Sequence, residues 1–492
     1  MSSFGSLSIG ISGLLANRRA LETVSHNIAN ADNPTYTRQR VTSADSPYIN
    51  VGSQKRGTGV SVQSINQIRD EFLDTKLRNE VSKYGYWGQR YSIFSQVESI
   101  INEKGQINDK VTGGLAKTMD DFWKSWDELA KDPSNLTVRG VLKESSEGFV
   151  TVVRHMYDQL DTLQKNLNTE VIDLVDETNK IAREIADLNK KIVSGEASGV
   201  KANDYRDQRN GLIDRLSQIV DISVSEDSKG YVNVAIAGTH IVLEGSAKEL
   251  EYKTPMPPDK GHLVNVHWKD EKDPLVLGKD LKGGELLAVL QARGSGEGKK
   301  PNPNSGEFIE VIPTMKEKLN ELVRIIATAI NEQQTNGYTL DSVEGDPKTD
   351  KLFFISEDGG DIDASNIRLN IESLNDIAAS DQAGVKGNSK NAEAILKIRK
   401  QLLYNSGKLN IDDYYRDVIS DFGIGGEAAY NMMESHGRII IELDNKKQSI
   451  SAVSLDEEMS DMLKFQHAYS ANTRFINAID EMLDVIINRM GR

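Results

Sequence analysis

The sequence predicts a multidomain, mainly α fold: discontinuous terminal helices and a long helical hairpin or bundle, with an inserted β-rich (α+β) outer domain. Three observations predict it. Apolar residues recur every seven positions near both ends, a longer seven-residue row runs from Leu160 to Leu188, and from about Asp221 the apolar period drops to two. Spacing of seven places side chains in a stripe on one helix face, whereas alternation marks a half-buried strand.

At the N-terminal end the row is Leu7, Leu14, Leu21 and Ile28, with Ile11 and Val24 beside it. The C-terminal row is Leu455, Met462, Tyr469, Ile476, Leu483 and Met490. Its companion row, Met459, Gln466, Thr473, Asp480 and Ile487, is half polar, a weak seam for an isolated coiled coil. Ser454-Leu455-Asp456-Glu457 reads as a capping box opening the last helix, and Asp456, Glu457 and Glu458 suit the positive end of its dipole.

Between the ends, Met119–Ala130 reads as a helix with Phe122, Trp123 and Trp126 in the core. A long helix follows from about Tyr157 to Val193, ended by Gly195 and Gly199, and then a second from about Asn203 to Ile219, together a hairpin. Strands are predicted at Ile222–Ser225, Tyr231–Ile236, His240–Leu243 and Leu263–His267. Helices return at Gly284–Ala292 and Val311–Gln333, short strands at Lys351–Ile355 and Ile367–Ile371, and helices again from near Ala392. The expected division is 1–40 with 454–492 as a terminal coiled-coil-like unit, 41–220 with 388–453 as a helical core, and 221–387 as the insertion.

The 492 residues include 59 Lys and Arg against 74 Asp and Glu, a formal net charge of −15. An acidic chain without a basic patch disfavours nucleic-acid binding. No apolar stretch approaches the ~20 residues of a membrane span, and Met1 to Gly13 lacks the basic start and apolar core of a cleavable signal. Cysteine is absent, which removes disulfides, thiolate nucleophiles and zinc–sulfur sites.

Motifs that suggest chemistry fail on context. Gly294–Lys300 looks like a phosphate loop, but Arg293 stands where the first Gly belongs, and Pro301 and Pro303 block the helix that should follow. Asp361, Asp363, Ser365 and Glu372 fall on calcium-loop positions, yet Asn366 replaces the turn Gly. His262 and His267, five apart on a strand, point to opposite faces, and His26 and His467 are expected to hydrogen-bond between the terminal helices. The expectation is no catalytic, cofactor-binding or metal site and no cofactor.

The N-terminal stripe lies within Ile11-Ser12-Gly13-Leu14-Leu15-Ala16-Asn17, followed by Ser25-His26-Asn27-Ile28-Ala29-Asn30 and then Asn33-Pro34-Thr35-Tyr36-Thr37-Arg38-Gln39. This closely resembles the signature of the bacterial flagellar rod, hook and hook-associated axial proteins, which usually have Thr-Pro-Gly where this chain has Asn33-Pro34-Thr35. Asp207-Gln208-Arg209 with Leu212, Leu216 and Ser217, Leu129 with Pro133-Ser134, and Gln466–Arg474 resemble the hook-associated branch at the hook–filament junction; His467 and Thr473 depart from its commoner Gln and Ala. The likeness is weakest from about Gly245 to Gly387.

The resemblance implies a structural protein, secreted without a cleaved signal by the flagellar type III route. It implies a tubular homo-oligomer outside the cell, meeting the hook protein and the next hook-associated protein. An export chaperone would hold the C-terminal segment. Leu7, Leu14, Leu21, Ile28, Leu455, Met462, Tyr469, Ile476 and Leu483 are the expected assembly residues. Two alternatives stand beside this: a flagellin-like filament subunit, and a flagellum-displayed enzyme with its site in 245–387.

Overall fold

The computed structural model describes residues 2–51, 54–101, 105–107, 110–112, 114–197, 199–254, 263–294 and 310–485. Ten α-helices are named here in chain order: α1 Ser2–Ala29, α2 Glu71–Ile101, α3 Leu115–Lys131, α4 Leu136–Glu196, α5 Asn203–Ile219, α6 Gly284–Arg293, α7 Val311–Asn336, α8 Lys390–Ile398, α9 Ile411–Ser451 and α10 Leu455–Asp484.

The 61-residue helix α4 is the spine. It begins about twenty residues earlier than the apolar row suggests. Asn135 caps it, its side chain accepting from the Thr137 amide at 2.9 Å, and Leu142, Phe149 and Val153 extend the buried face upstream. Gly140 and Gly148 in this first stretch had obscured the row. Helix α3 packs on it as expected: Phe122, Trp123 and Trp126 are buried, with Phe122 stacked on Phe149 at 5.6 Å between ring centroids.

Several elements escaped the periodicity argument, the short pairs Ile49–Val51 with Gln54–Arg56 and Gly105–Ile107 with Lys110–Thr112 among them, and two shape the fold. One is the antiparallel pair Gln39–Asp45 with Val60–Gln67, which leads from α1 to α2. The other is α2, whose buried face carries Asp74, Arg78, Ser82 and Arg90 among its apolar residues. Burial keeps the helical period there while the chemistry does not, so hydrophobicity hides the helix. Helix α9 runs antiparallel to α2: Phe94 meets Phe422, Gly437 approaches Tyr84, and Lys447 reaches Asp74 at 3.3 Å.

The strands stay small. Ser223–Glu226, Val232–Ile236, Thr239–Leu243 and Ser246–Ala247 form a four-stranded antiparallel sheet in chain order. Asn189 of α4 fastens the two central strands, donating to the Val232 and Glu244 carbonyls at 2.8 and 2.6 Å. Asn179 does the same one stretch earlier, exchanging two 2.8 Å bonds with the backbone of Leu250, whose strand pairs with Asn265–Trp268. The expected strands near 351–355 and 367–371 shorten to Phe354–Ser356 and Ile367–Leu369, paired antiparallel. One hydrophobic core, continuous from Ile93 to Ala429, joins helices and strands; among the described residues, none of α1 or α10 belongs to it.

Candidate functional site

The terminal helices α1 and α10 lie antiparallel against each other. A Cβ on Gly10 would stand 3.0 Å from Phe475 and Ile476, and one on Gly13 would stand 2.9 Å from the Asn472 amide, while Asn27 faces Glu458 at the other end. The two glycines are what let the helices approach this closely. Leu7, Leu14, Leu21 and Ile28 on α1, and Met462, Tyr469, Ile476 and Leu483 on α10, are all half-buried; Leu455 is exposed. Met490 and Ile487 lie outside the described residues. Among the described residues, the apolar side chains of the pair that are buried are Ala20, Val24 and Ile479, while Ile9, Ile11, Leu15, Met459, Leu463, Phe475 and Met482 are exposed.

Where α1 ends, polar residues form a clasp. Asn27 is 1% exposed and uses its whole amide: it donates to the Gln39 carbonyl at 2.9 Å and Glu458 Oε2 at 3.0 Å, and accepts from the Gln39 amide at 3.0 Å and the Tyr36 hydroxyl at 2.7 Å. Arg38 donates from Nε to Glu458 at 2.7 Å and from Nη1 to Glu457 at 2.6 Å, and its amide donates to the Ser451 carbonyl. The Gln39 side chain turns the other way and accepts from Asn203 at the start of α5, while Asp207 of the same helix accepts from the Thr37 amide. One short segment, Tyr36–Gln39, therefore joins α1, α10, the end of α9 and α5.

The electrostatics follow from this crowding. Burial opposes the charge of Arg38, but Glu457 and Glu458 outweigh it and raise its pKa. The Tyr36 hydroxyl is pushed far up by burial and then by Asp204, Asp207 and Glu458. Burial likewise raises Asp207. Apart from Asp207 Oδ1, which is buried with no hydrogen-bond partner among the described residues, the donors and acceptors consume one another, so the clasp is suited to holding elements in place.

Of the signature residues, the structure brings together His26, Asn27, Tyr36, Arg38 and Gln39; His26 Nδ1 lies 3.1 Å from the Tyr36 hydroxyl. Ser25 and Ala29 are exposed, Ile28 packs with the stripe, and Asn30 donates to the His26 carbonyl. Sequence reasoning missed Glu457 and Glu458, which it read as helix-end charges. Ser454 does cap α10, accepting from the Glu457 amide at 3.5 Å, but the Glu457 side chain turns to Arg38 instead of closing a capping box, and Glu458 is 1% exposed. The available signal was the run of polar residues at 36–39, which fits neither apolar period. His467, expected to bond across the helices, is exposed.

The other motifs take plain roles. Asp363 accepts from Ser365 and from the Asn366 amide, and Asn366 donates to Asp358 and the Asp361 carbonyl, closing a turn before a strand. His267 is buried, whereas His262 and the phosphate-loop stretch from 295 on lie outside the described residues. Among the described residues, no group of three His, Cys, Asp or Glu could hold a metal ion, and no helix is long and apolar enough to cross a membrane.

Residues 7–37, which include Asn27 and Tyr36, match the flagella basal body rod protein family, and residues 447–490, which include Glu457 and Glu458, match the C-terminal family of the flagellar basal body rod FlgEFG proteins. Flagellar hook-associated protein 1 of Bacillus subtilis (strain 168) is 28% identical, covering 100% of this chain and 99% of the relative. That of Escherichia coli (strain K12) is 23% identical over 97% and 98%. The solved flagellar hook junction protein FlgK from Burkholderia pseudomallei shares the fold, with a TM-score of 0.60 at 11% identity over 77% of this chain and 100% of that one. Residues 94–353, more than half of the chain and most of its continuous core, match the flagellar hook-associated protein FlgK helical domain, and the chain belongs to that family.

Proposed function

We propose that this chain is a structural component of the bacterial flagellum that polymerises at the hook–filament junction and connects hook to filament. The observation that carries the reading is the clasp at Asn27–Arg38–Glu458. It fixes an antiparallel pair of terminal helices to a separately cored body while both helices keep apolar side chains exposed. Such side chains gain about 1.5–3 kcal/mol each when a neighbour covers them.

The residues 1–40 with 454–492 then form the inner tube, 41–220 with 388–453 the helical body, and 221–387 the outward insertion. The 28 residues of α1 and 30 of α10 bury few apolar side chains of their own. Ordering costs about 1–2 kcal/mol per residue, so the pair orders fully only when neighbouring copies pack on it. The partners are further copies, the hook protein, the next hook-associated protein and an export chaperone on the C-terminal segment. The protein works outside the cell and has no enzymatic role.

The test is genetic and visual. Antibody against this chain should label isolated flagella at one band between hook and filament. Leu483→Asp, which puts a carboxylate into the stripe where burial costs several kcal/mol, should leave a folded, exported protein, bare hooks and flagellin in the medium. Label along the whole filament, or normal swimming of the Leu483→Asp strain, would sink the reading.

A further inference from the structure

Helix α9 divides into two halves held by different forces. Up to Ala429 its inward residues Ile411, Tyr414, Val418 and Phe422 belong to the continuous core. Beyond that point, among the described residues, no side chain from Tyr430 to Ile450 is buried, and Tyr430, Met432, Ile439 and Ile441 are exposed. Three glycines, Gly423, Gly425 and Gly426, stand where the halves meet. In a helix interior each lowers the tendency to stay helical about five-fold relative to Ala. Packing does not require Gly423: a Cβ there would meet nothing within 4 Å, and one on Gly426 would make an ordinary 3.5 Å contact with Phe94. Gly437 differs, because a Cβ there would come within 3.3 Å of the Tyr84 ring.

Two polar contacts hold the second half to α2. His436 Nδ1 lies 2.6 Å from Glu80 Oε2, whose other oxygen accepts from Lys83 at 2.8 Å. One end further on, Lys447 reaches Asp74 at 3.3 Å and Asp214 of α5 at 3.8 Å, carboxylates that also bind Arg69 and Arg78. The ionisable groups about His436 are Glu80, Lys83 and Tyr84 on α2 and, on its own helix, Glu434 and Arg438, which pair with each other at 3.8 Å. Burial opposes the charge of Glu80, but the bonds from Lys83 and His436 outweigh it and hold its carboxyl below the usual range. Glu80 therefore stays ionised across the range in which histidines change charge.

We propose that residues 430–450 of α9 form a strap that opens from α2 as a unit, pivoting at Gly423–Gly426, with His436–Glu80 and Lys447–Asp74 as its latches. The first latch is an ion pair when His436 is protonated and a neutral hydrogen bond when it is not, so the strap closes more tightly as pH falls. Ser451, where the strap ends, accepts from the Arg38 amide, so the strap links the core to the clasp.

The experiment is hydrogen exchange with mass spectrometry on the purified full chain, corrected for intrinsic rates. Amides in 431–447 should exchange together, about ten-fold or more faster than those in 412–422. Raising the pH from about 6 to about 8 should increase strap opening about three-fold, and His436→Gln, which keeps a donor for Glu80, should remove that dependence. Gly423→Ala should slow opening about five-fold. Lys447→Met should speed it about ten-fold, with 412–422 unchanged in both variants. Exchange of 431–447 at the rate of 412–422, in wild type and Lys447→Met alike, would make α9 one cooperative rod and overturn the strap. An equal pH response in wild type and His436→Gln would overturn the latch.

Discussion

Asn27 is the residue on which the terminal architecture turns, since its one amide serves four partner groups on two segments, Tyr36–Gln39 and the start of α10. Asn27→Ala leaves the Gln39 amide without its side-chain acceptor and the Tyr36 hydroxyl with His26 alone, at about 1–3 kcal/mol for a buried group left unpaired. Hydrogen exchange should read this as protection of the Gln39 amide lowered by about one to two orders of magnitude, with the Leu160 amide unchanged. Glu196 offers a pH test in the body. Burial works against its charge, and hydrogen bonds from Arg206, the Ala202 amide and Lys201 overcome it, holding its carboxyl at about 2. A carboxyl depressed on folding stabilises the fold above its unfolded pKa of about 4.3, and loses that contribution as pH falls through the folded value. The Tm deficit of Glu196→Gln should be full at neutral pH, shrink below about pH 4.5 and vanish near pH 2. A deficit constant with pH would contradict the assignment.

At the scale of the element, the α1–α10 contact depends on glycine. Gly10→Val forces a branched side chain to within 3.0 Å of Phe475 and Ile476, where neither neighbour is the free end of a flexible chain. Assembly should fail while the main thermal transition of the purified protein stays within about 1 °C, because the two helices lie outside the continuous core. A large fall in that transition would place the helices within the cooperative body. The helices also mark how far periodicity reaches. The hairpin α4–α5 was legible because its buried face is apolar along nearly its whole length. Helix α2 was not, because Arg78 is buried beside Asp214 and Asp74 beside Arg69 and Lys447, so ion pairs replace the apolar stripe.

For the whole molecule, a single core from Ile93 to Ala429 with an appended pair of helices predicts an order of failure. Limited proteolysis should cut first in the exposed links at 32–35 and 452–454, with trimming to a fragment that begins near 40–60 and ends near 450. Helix α4 should resist longest, with Leu160, Val171 and Ile185 all buried completely. Early cleavage within α4 would contradict this hierarchy.

The sequence by itself determined the helical ends, the spine and its hairpin, the change to strands after Asp221 and, through Ser25–Asn30 and Tyr36–Gln39, the kinship. Each of these is local: a period or a motif is complete within a few turns of chain. Only the tertiary structure decided that Glu458 closes on Arg38 and Asn27 and that α9 lies along α2 through ion pairs. A polar side chain looks the same in the sequence whether it faces water or a partner hundreds of residues away. Its meaning is fixed by the partner that burial brings within hydrogen-bond reach.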